Sequence, residues 1–192
     1  MKEEIKHIIS ESIALKTEVL QSPLIIDSCA SFIEEICIAL TSKQRLFFCG
    51  NGGSAADALH LAAEFSGRFY LNRAALPVEA LSVNMAAITA ISNDFGFDQV
   101  YARMLESKAT HGDVLCVLST SGQSINIINA AKKAKEMGVK VLALTGSLPS
   151  PLDALADEII KIPSSETPRI QECHLMIGHI ICELVEKKMF NA

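Results

Sequence analysis

Tryptophan is absent from this chain and aromatic residues make up only 5% of it, so any core it builds is mostly aliphatic. Concentrated positive charge is scarce too: 17 Lys and Arg face 22 Asp and Glu, for a formal net charge of −5. A nucleic-acid surface needs clustered Lys and Arg opposite the phosphates, so that class is excluded. The one compact basic group, Lys132, Lys133 and Lys135, falls where the pattern predicts the solvated face of an amphipathic helix. The six cysteines (Cys29, Cys37, Cys49, Cys116, Cys173 and Cys182) contain no C-x-x-C pair and sit mostly in apolar stretches. That is the pattern of buried, reduced thiols, not of a disulfide framework or a zinc knuckle. The opening Met1–His7 is charged and polar with no apolar segment behind it, and no uncharged run approaches membrane-spanning length. These absences predict a soluble, cytoplasmic protein.

What is present is apolar periodicity. With 192 residues, 49% of them hydrophobic, the chain can bury a sizeable core, and one domain spanning 1–192 is expected. Residues 1–42 read as N-terminal helices and 43–192 as an α/β core. Two helices are predicted over Lys2–Leu20 and Leu24–Leu40, broken at Ser22 and Pro23. Their stripes are Ile5, Ile8, Ile9 and Ile13, then Ile26, Ala30, Ile33, Cys37 and Leu40, each needing a partner surface. From Leu46 onward short, nearly continuous apolar runs take over: Leu46–Cys49, Val78–Leu81, Val114–Leu118, Val141–Leu144 and Ile159–Ile162. Alternating with helical stretches, they predict a doubly wound α/β fold with a five-stranded parallel sheet covered on both faces. Ligands of such sheets bind outside the carboxyl ends of the strands, which directs attention to the loops there.

The first strand is followed by Gly50-Asn51-Gly52-Gly53-Ser54 and a helix, with Ser54 and Asp57 spaced as an S-x-x-D capping pair. Glycines before a helix start let backbone approach an anion closely, although a plain tight turn reads the same way. The loop also fits G-x-G-x-x-A, but no carboxylate follows the second strand, so a nicotinamide dinucleotide is excluded; no Gly-Lys-Ser/Thr follows either, so neither is there a Walker A loop. The third strand leads into Ser119-Thr120-Ser121-Gly122-Gln123-Ser124 and a helix from about Ile125. Four hydroxyls at a helix start, with no fixed positive charge, suit a phosphomonoester on a small sugar. Ser92-Asn93-Asp94-Phe95-Gly96-Phe97 reads as a loop in which Asn93 and Asp94 either close a turn or hydrogen-bond sugar hydroxyls.

His60 and Glu64, spaced i, i+4, form a polar spot on a helix otherwise made of small and apolar residues. A C-terminal helix over Pro168–Met189 carries Gln171 and His179 near one face, about 12 Å apart along its axis. They meet one metal or substrate only if their side chains lean together or come from different subunits, and spacing leaves both open. His174 falls off that face and reads as a packing or surface histidine.

In order along the chain stand Cys49–Ser54, the His60/Glu64 helix, Ser66–Phe69, Asn93–Phe97, Ser119–Ser124 and Arg169–Glu172. Together they resemble the phosphoheptose isomerases of the SIS-domain type over nearly the whole chain. The resemblance implies a flavodoxin-like SIS fold with extra N-terminal helices. It implies conversion of D-sedoheptulose 7-phosphate to D-glycero-D-manno-heptose 7-phosphate, which opens the route to the ADP- or GDP-heptose of bacterial lipopolysaccharide or capsule. It also implies a homotetramer with interfacial active sites and one zinc ion per subunit, held at positions matching His60, Glu64, Gln171 and His179. Substrate contacts map onto Asn51, Gly52, Gly53, Ser54, Glu64, Asn93, Asp94, Ser119, Thr120, Ser121, Ser124 and Gln171; nothing is carried over for Ser82–Ser92. Aldose–ketose isomerisation needs a base at carbon and an acid/base at oxygen, and the resemblance assigns these roles to Glu64 and His179. Two other readings fit the same loops: a non-catalytic SIS-fold sensor of sugar phosphates or partner-binding regulator, and an isomerase of pentose or hexose phosphates.

Overall fold

The computed structural model describes residues 1–190. Two helices, α1 (Lys2–Gln21) and α2 (Pro23–Thr41), precede β1 (Leu46–Gly50), α3 (Gly53–Ser66), β2 (Val78–Ala80), α4 (Met85–Phe95) and α5 (Val100–Glu106). Then come β3 (Val114–Ser119), α6 (Ile125–Glu136), β4 (Lys140–Thr145), α7 (Leu152–Leu155), β5 (Glu158–Lys161) and α8 (Thr167–Phe190). All five strands pair in parallel in the order β2-β1-β3-β4-β5. The predicted strands are therefore all present, and the sheet is of the doubly wound, flavodoxin-like kind.

Strand pleating divides the core. Leu46, Phe48, Val114, Cys116, Leu118, Leu142 and Leu144 pack with α2, α3 and α8 on one face. Phe47, Cys49, Leu115, Val117, Val141 and Ala143 pack with α5 and α6 on the other. Alternate residues of one strand thus serve opposite layers, which is why the runs are apolar throughout rather than alternating. All six cysteines are free and buried, and Lys132, Lys133 and Lys135 lie on the outer side of α6 as expected.

The N-terminal stripes are only partly covered within the chain. Ser22 alone breaks the two helices: its side chain accepts from Ile25 N, and Pro23, whose ring suits the first helical turn, opens α2. Helix α1 buries Ser12, Leu15 and Val19, while Ile5, Ile8, Ile9 and Ile13 are 48–60% exposed. In α2 the inward face is Ile25, Cys29, Phe32, Ile33, Ile36, Cys37, Ala39 and Leu40, and Ile26 and Ala30 point outward. Because α1 and α2 have more apolar surface than one sheet face can cover, periodicity identified the helices but not which stripe faces in.

Candidate active site

The strand order reverses between β1 and β3, and the glycine and serine loops leave the carboxyl ends of those two strands side by side. Asn51 and Asn126 clasp each other with reciprocal amide hydrogen bonds of 2.8 Å, tying the glycine loop to the start of α6. Asn126 is nearly fully buried, and its Oδ1 also accepts from Ile127 N. The signal for this second asparagine lay just past the serine motif, where the sequence reading stopped at Ile125.

Gly52, at φ 56° and ψ −122°, caps α3 with no side-chain help, so the expected Ser54/Asp57 capping pair does not form. Ser54 is instead the second helical residue, buried beneath Gly50, where a Cβ would come within 2.6 Å of the Ser54 carbonyl oxygen. A Cβ on Gly53 would lie 2.4 Å from both terminal amide atoms of Gln171, so the Gln171 side chain of α8 rests directly on the first turn of α3. Asp57 is buried, hydrogen-bonded to Gln171, and its Oδ2 has no partner. Burial pushes its carboxyl pKa up, opposed by the Gln171 bond and by His60 and His179 nearby. Asp57 was read from sequence only as a capping residue; its place beside Gln171 could be learned only from the packing of α3 on α8.

Further along the same two helices, His60 Nε2 and His179 Nε2 stand 2.8 Å apart. Glu64 Oε1 lies 3.6 Å from His60 Nε2. The His60 and His179 rings meet edge to face with centroids 5.0 Å apart, and Phe69 lies 5.8 Å from His179. His60, Glu64 and His179 therefore converge within one chain. Gln171, two turns earlier on α8, makes no hydrogen bond to any of the three among the described residues. A groove of about 550 Å³ opens beside His179, lined by Lys16, Phe69, Tyr70, Glu172 and Glu183 among others.

In the serine loop, Ser119 Oγ accepts from Gly122 N at 3.1 Å and Ser121 Oγ from Gln123 N at 3.2 Å. Those two hydroxyls shape the turn, in which Gly122 takes φ 65°. The Thr120 and Ser124 hydroxyls have no hydrogen-bond partner among the described residues, and Ser124, the N-cap of α6, makes no side-chain cap. With the free amides of the first helical turn they leave donors for an anion.

One expectation is corrected by position, and one alternative is settled. Asn93 and Asp94 are not in a loop but in the last turn of α4, exposed, and Asn93 Nδ2 donates to Asp94 Oδ1. No hydrogen bond joins them to the glycine or serine loop of the same chain. His174 is fully buried: its Nε2 lies 3.2 Å from the Thr145 carbonyl, its Nδ1 is unpartnered, and burial pulls its pKa down to about 4.

A parallel sheet of this order, with a hydroxyl-rich loop at its switch point, defines a SIS domain, and the SIS domain family model matches residues 5–146. A phosphoheptose isomerase of Nitratiruptor sp. is 52% identical over 153 residues, 79% of this chain and 82% of that one. One from Clostridium acetobutylicum is 42% identical over 191 residues, covering 100% of this chain and 97% of its own. The solved structure of the Neisseria gonorrhoeae phosphoheptose isomerase superposes with a TM-score of 0.91 at 35% identity, covering 97% of this chain and 98% of that chain. The chain belongs to the phosphoheptose isomerase family.

Proposed function

We propose that this isomerase converts D-sedoheptulose 7-phosphate to D-glycero-D-manno-heptose 7-phosphate through an enediol. The observation that carries this reading is the meeting of Glu64 and His179, from two different helices, at His60, on a domain that offers a separate anion loop. A protein that only sensed a sugar phosphate needs the loop but no carboxylate and imidazole brought together.

The 7-phosphate sits on the serine loop, taking hydrogen bonds from Thr120, Ser124 and the first amides of α6, while Ser119 and Ser121 keep the turn in shape. The glycine loop, with Asn51 held by Asn126, lies along the sugar. Glu64 removes the proton from C1 of the ketose, and the resulting enediol is reprotonated at C2. His179 moves the proton between the C1 and C2 oxygens. Asn93 and Asp94 are assigned to sugar hydroxyls; since α4 displays them outward, this role is best supported if the site is completed by a neighbouring subunit.

The donor set suits zinc. Two imidazole nitrogens face each other at 2.8 Å with a carboxylate oxygen nearby, near the roughly 3.3 Å expected of two nitrogens on one tetrahedral zinc at about 2.0–2.1 Å. Among the described residues no group of three or more His, Cys, Asp or Glu is already placed to hold a metal ion, so the reading rests on the chemistry of these donors. His60, Glu64, His179 and Gln171 are the residues that would hold the ion. Bound there, it would polarise the carbonyl and diol oxygens.

A homotetramer fits the half-exposed isoleucines of α1, which need a partner surface. The cytoplasm suits an enzyme whose six thiols are all free. No helix among the described residues is long and apolar enough to cross a membrane.

The test is proton NMR of the purified protein with sedoheptulose 7-phosphate in deuterated water, with and without added zinc. Aldoheptose 7-phosphate carrying deuterium at C2 supports the enediol route. Binding with neither product nor exchange overturns it in favour of a sensor, and faster turnover of pentose or hexose phosphates moves the substrate assignment.

A further inference from the structure

The segment between Ser66 of α3 and Val78 of β2 contains no regular element, yet it is pinned at one point. The Glu186 carboxylate, on α8, accepts from three consecutive amides: Phe69 N at 3.2 Å, Tyr70 N at 2.8 Å and Leu71 N at 2.9 Å. It also accepts from Arg73 Nε at 2.9 Å, and both side chains are only 3% exposed. The remaining guanidinium donors reach the end of α3: Nη2 to Glu64 O at 2.9 Å, and Nη1 to Phe65 O at 2.7 Å and Gly67 O at 3.2 Å. A helix leaves its last carbonyls without partners and its C-terminus partially negative, so a planar cation there meets both needs.

We infer that Arg73 and Glu186 are a positioning pair for catalysis, holding the base-bearing end of α3 and the wall beside His179 in register with α8. The inference rests on Glu64 and His179 being the acid/base pair. Three contacts carry it. Arg73 grips the backbone carbonyl of Glu64 itself. Glu186 lies seven residues after His179, two turns along the same face of α8. The amides that Glu186 holds carry Phe69, whose ring lies against His179 with centroids 5.8 Å apart. One buried pair thus links backbone, loop and helix across the two elements that supply the reacting groups. Neither side chain touches substrate; both act through Glu64 and Phe69.

The experiment compares Arg73→Lys, which keeps a charge for Glu186 but loses the fork to Glu64 O, with Glu186→Gln, which keeps shape but loses the charge. Turnover on sedoheptulose 7-phosphate is measured beside circular dichroism, and rates are referred to the folded fraction. Displacement of a catalytic group by a fraction of an ångström is expected to lower kcat at least about tenfold in both, with KM within about threefold. Folded variants with kcat within twofold of the parent overturn the inference. So does failure of both to fold, which makes the pair a stability element only. If the parent protein itself shows no isomerase turnover, the functional reading falls instead, and Glu64→Gln with full activity would bring down the acid/base assignment alone.

Discussion

Helices α3 and α4 each follow a strand of the same sheet, yet one is gripped and the other is laid on. Helix α3 buries Ser54, Asp57, Ala58, Leu61, Ala62 and Phe65 between the sheet and α8. Helix α4 buries none of its residues; Ala87, Ile88 and Ile91 rest half-covered on the second core, and Met85 and Phe95 are exposed. The difference comes from small residues. A Cβ at Gly178 of α8 would stand 2.6 Å from Leu61 Cδ1, and one at Gly53 would run into Gln171, so each helix seats a side chain of the other over a glycine. His60, Glu64 and His179 sit along that contact, with His60 Nε2 2.8 Å from His179 Nε2 and 3.6 Å from Glu64 Oε1. Asn93 and Asp94 sit on the lightly held helix, which belongs to the low-stability part of the fold.

The sharpest test of this comparison acts on the gripped side. Glu64→Gln keeps the shape of α3 and removes the base, so kcat should fall by about 10²–10⁴ while the melting curve stays put. Near-normal turnover in a folded variant would dismiss Glu64 as base.

Next in size is a pH effect in α8 itself. His174 ordinarily titrates at 6.5, and burial lowers it to about 4 in the folded protein. Above pH 6.5 it is neutral in both states and its contribution is fully present. Between 6.5 and 4 the unfolded chain takes up a proton that the folded one refuses, so stability falls as pH drops, by at most about 3 kcal/mol. Urea unfolding at several pH values, compared between the parent and His174→Gln, should show that difference only in this window; parallel curves would refute it.

Gly178→Ala should press on the Leu61 side chain, which is only 1% exposed, and push α3 away from α8. A loss of about 1–3 kcal/mol in chemical unfolding is expected, with reduced turnover as His60 and His179 separate. A variant as stable and active as the parent would show that the close approach is dispensable.

The smallest effect belongs to the other side of the comparison. Asn93→Ala and Asp94→Ala should leave stability within about 0.5 kcal/mol, because both side chains are exposed. Their effect should appear as a raised KM, and an unchanged KM would remove them from the substrate site.

The sequence by itself determined the five strands, the two loops at the carboxyl ends of β1 and β3, and the helices carrying His60, Glu64, Gln171 and His179. It could do so because apolar runs and glycine- or hydroxyl-rich breaks record local burial and local backbone demands, and each of those is a property of neighbouring residues. It misread Ser54 and Asp57 as a cap and Asn93 and Asp94 as a loop. Only the tertiary structure decided that Asp57 meets Gln171, that His60 faces His179, and that Glu186 holds the backbone around Phe69. Those partners are separated by more than 100 residues along the chain, and no local pattern encodes which of two polar groups an aligned pair of helices brings face to face. That is set by how α3 and α8 pack on each other, with Leu61 seated over Gly178 and Gln171 over Gly53.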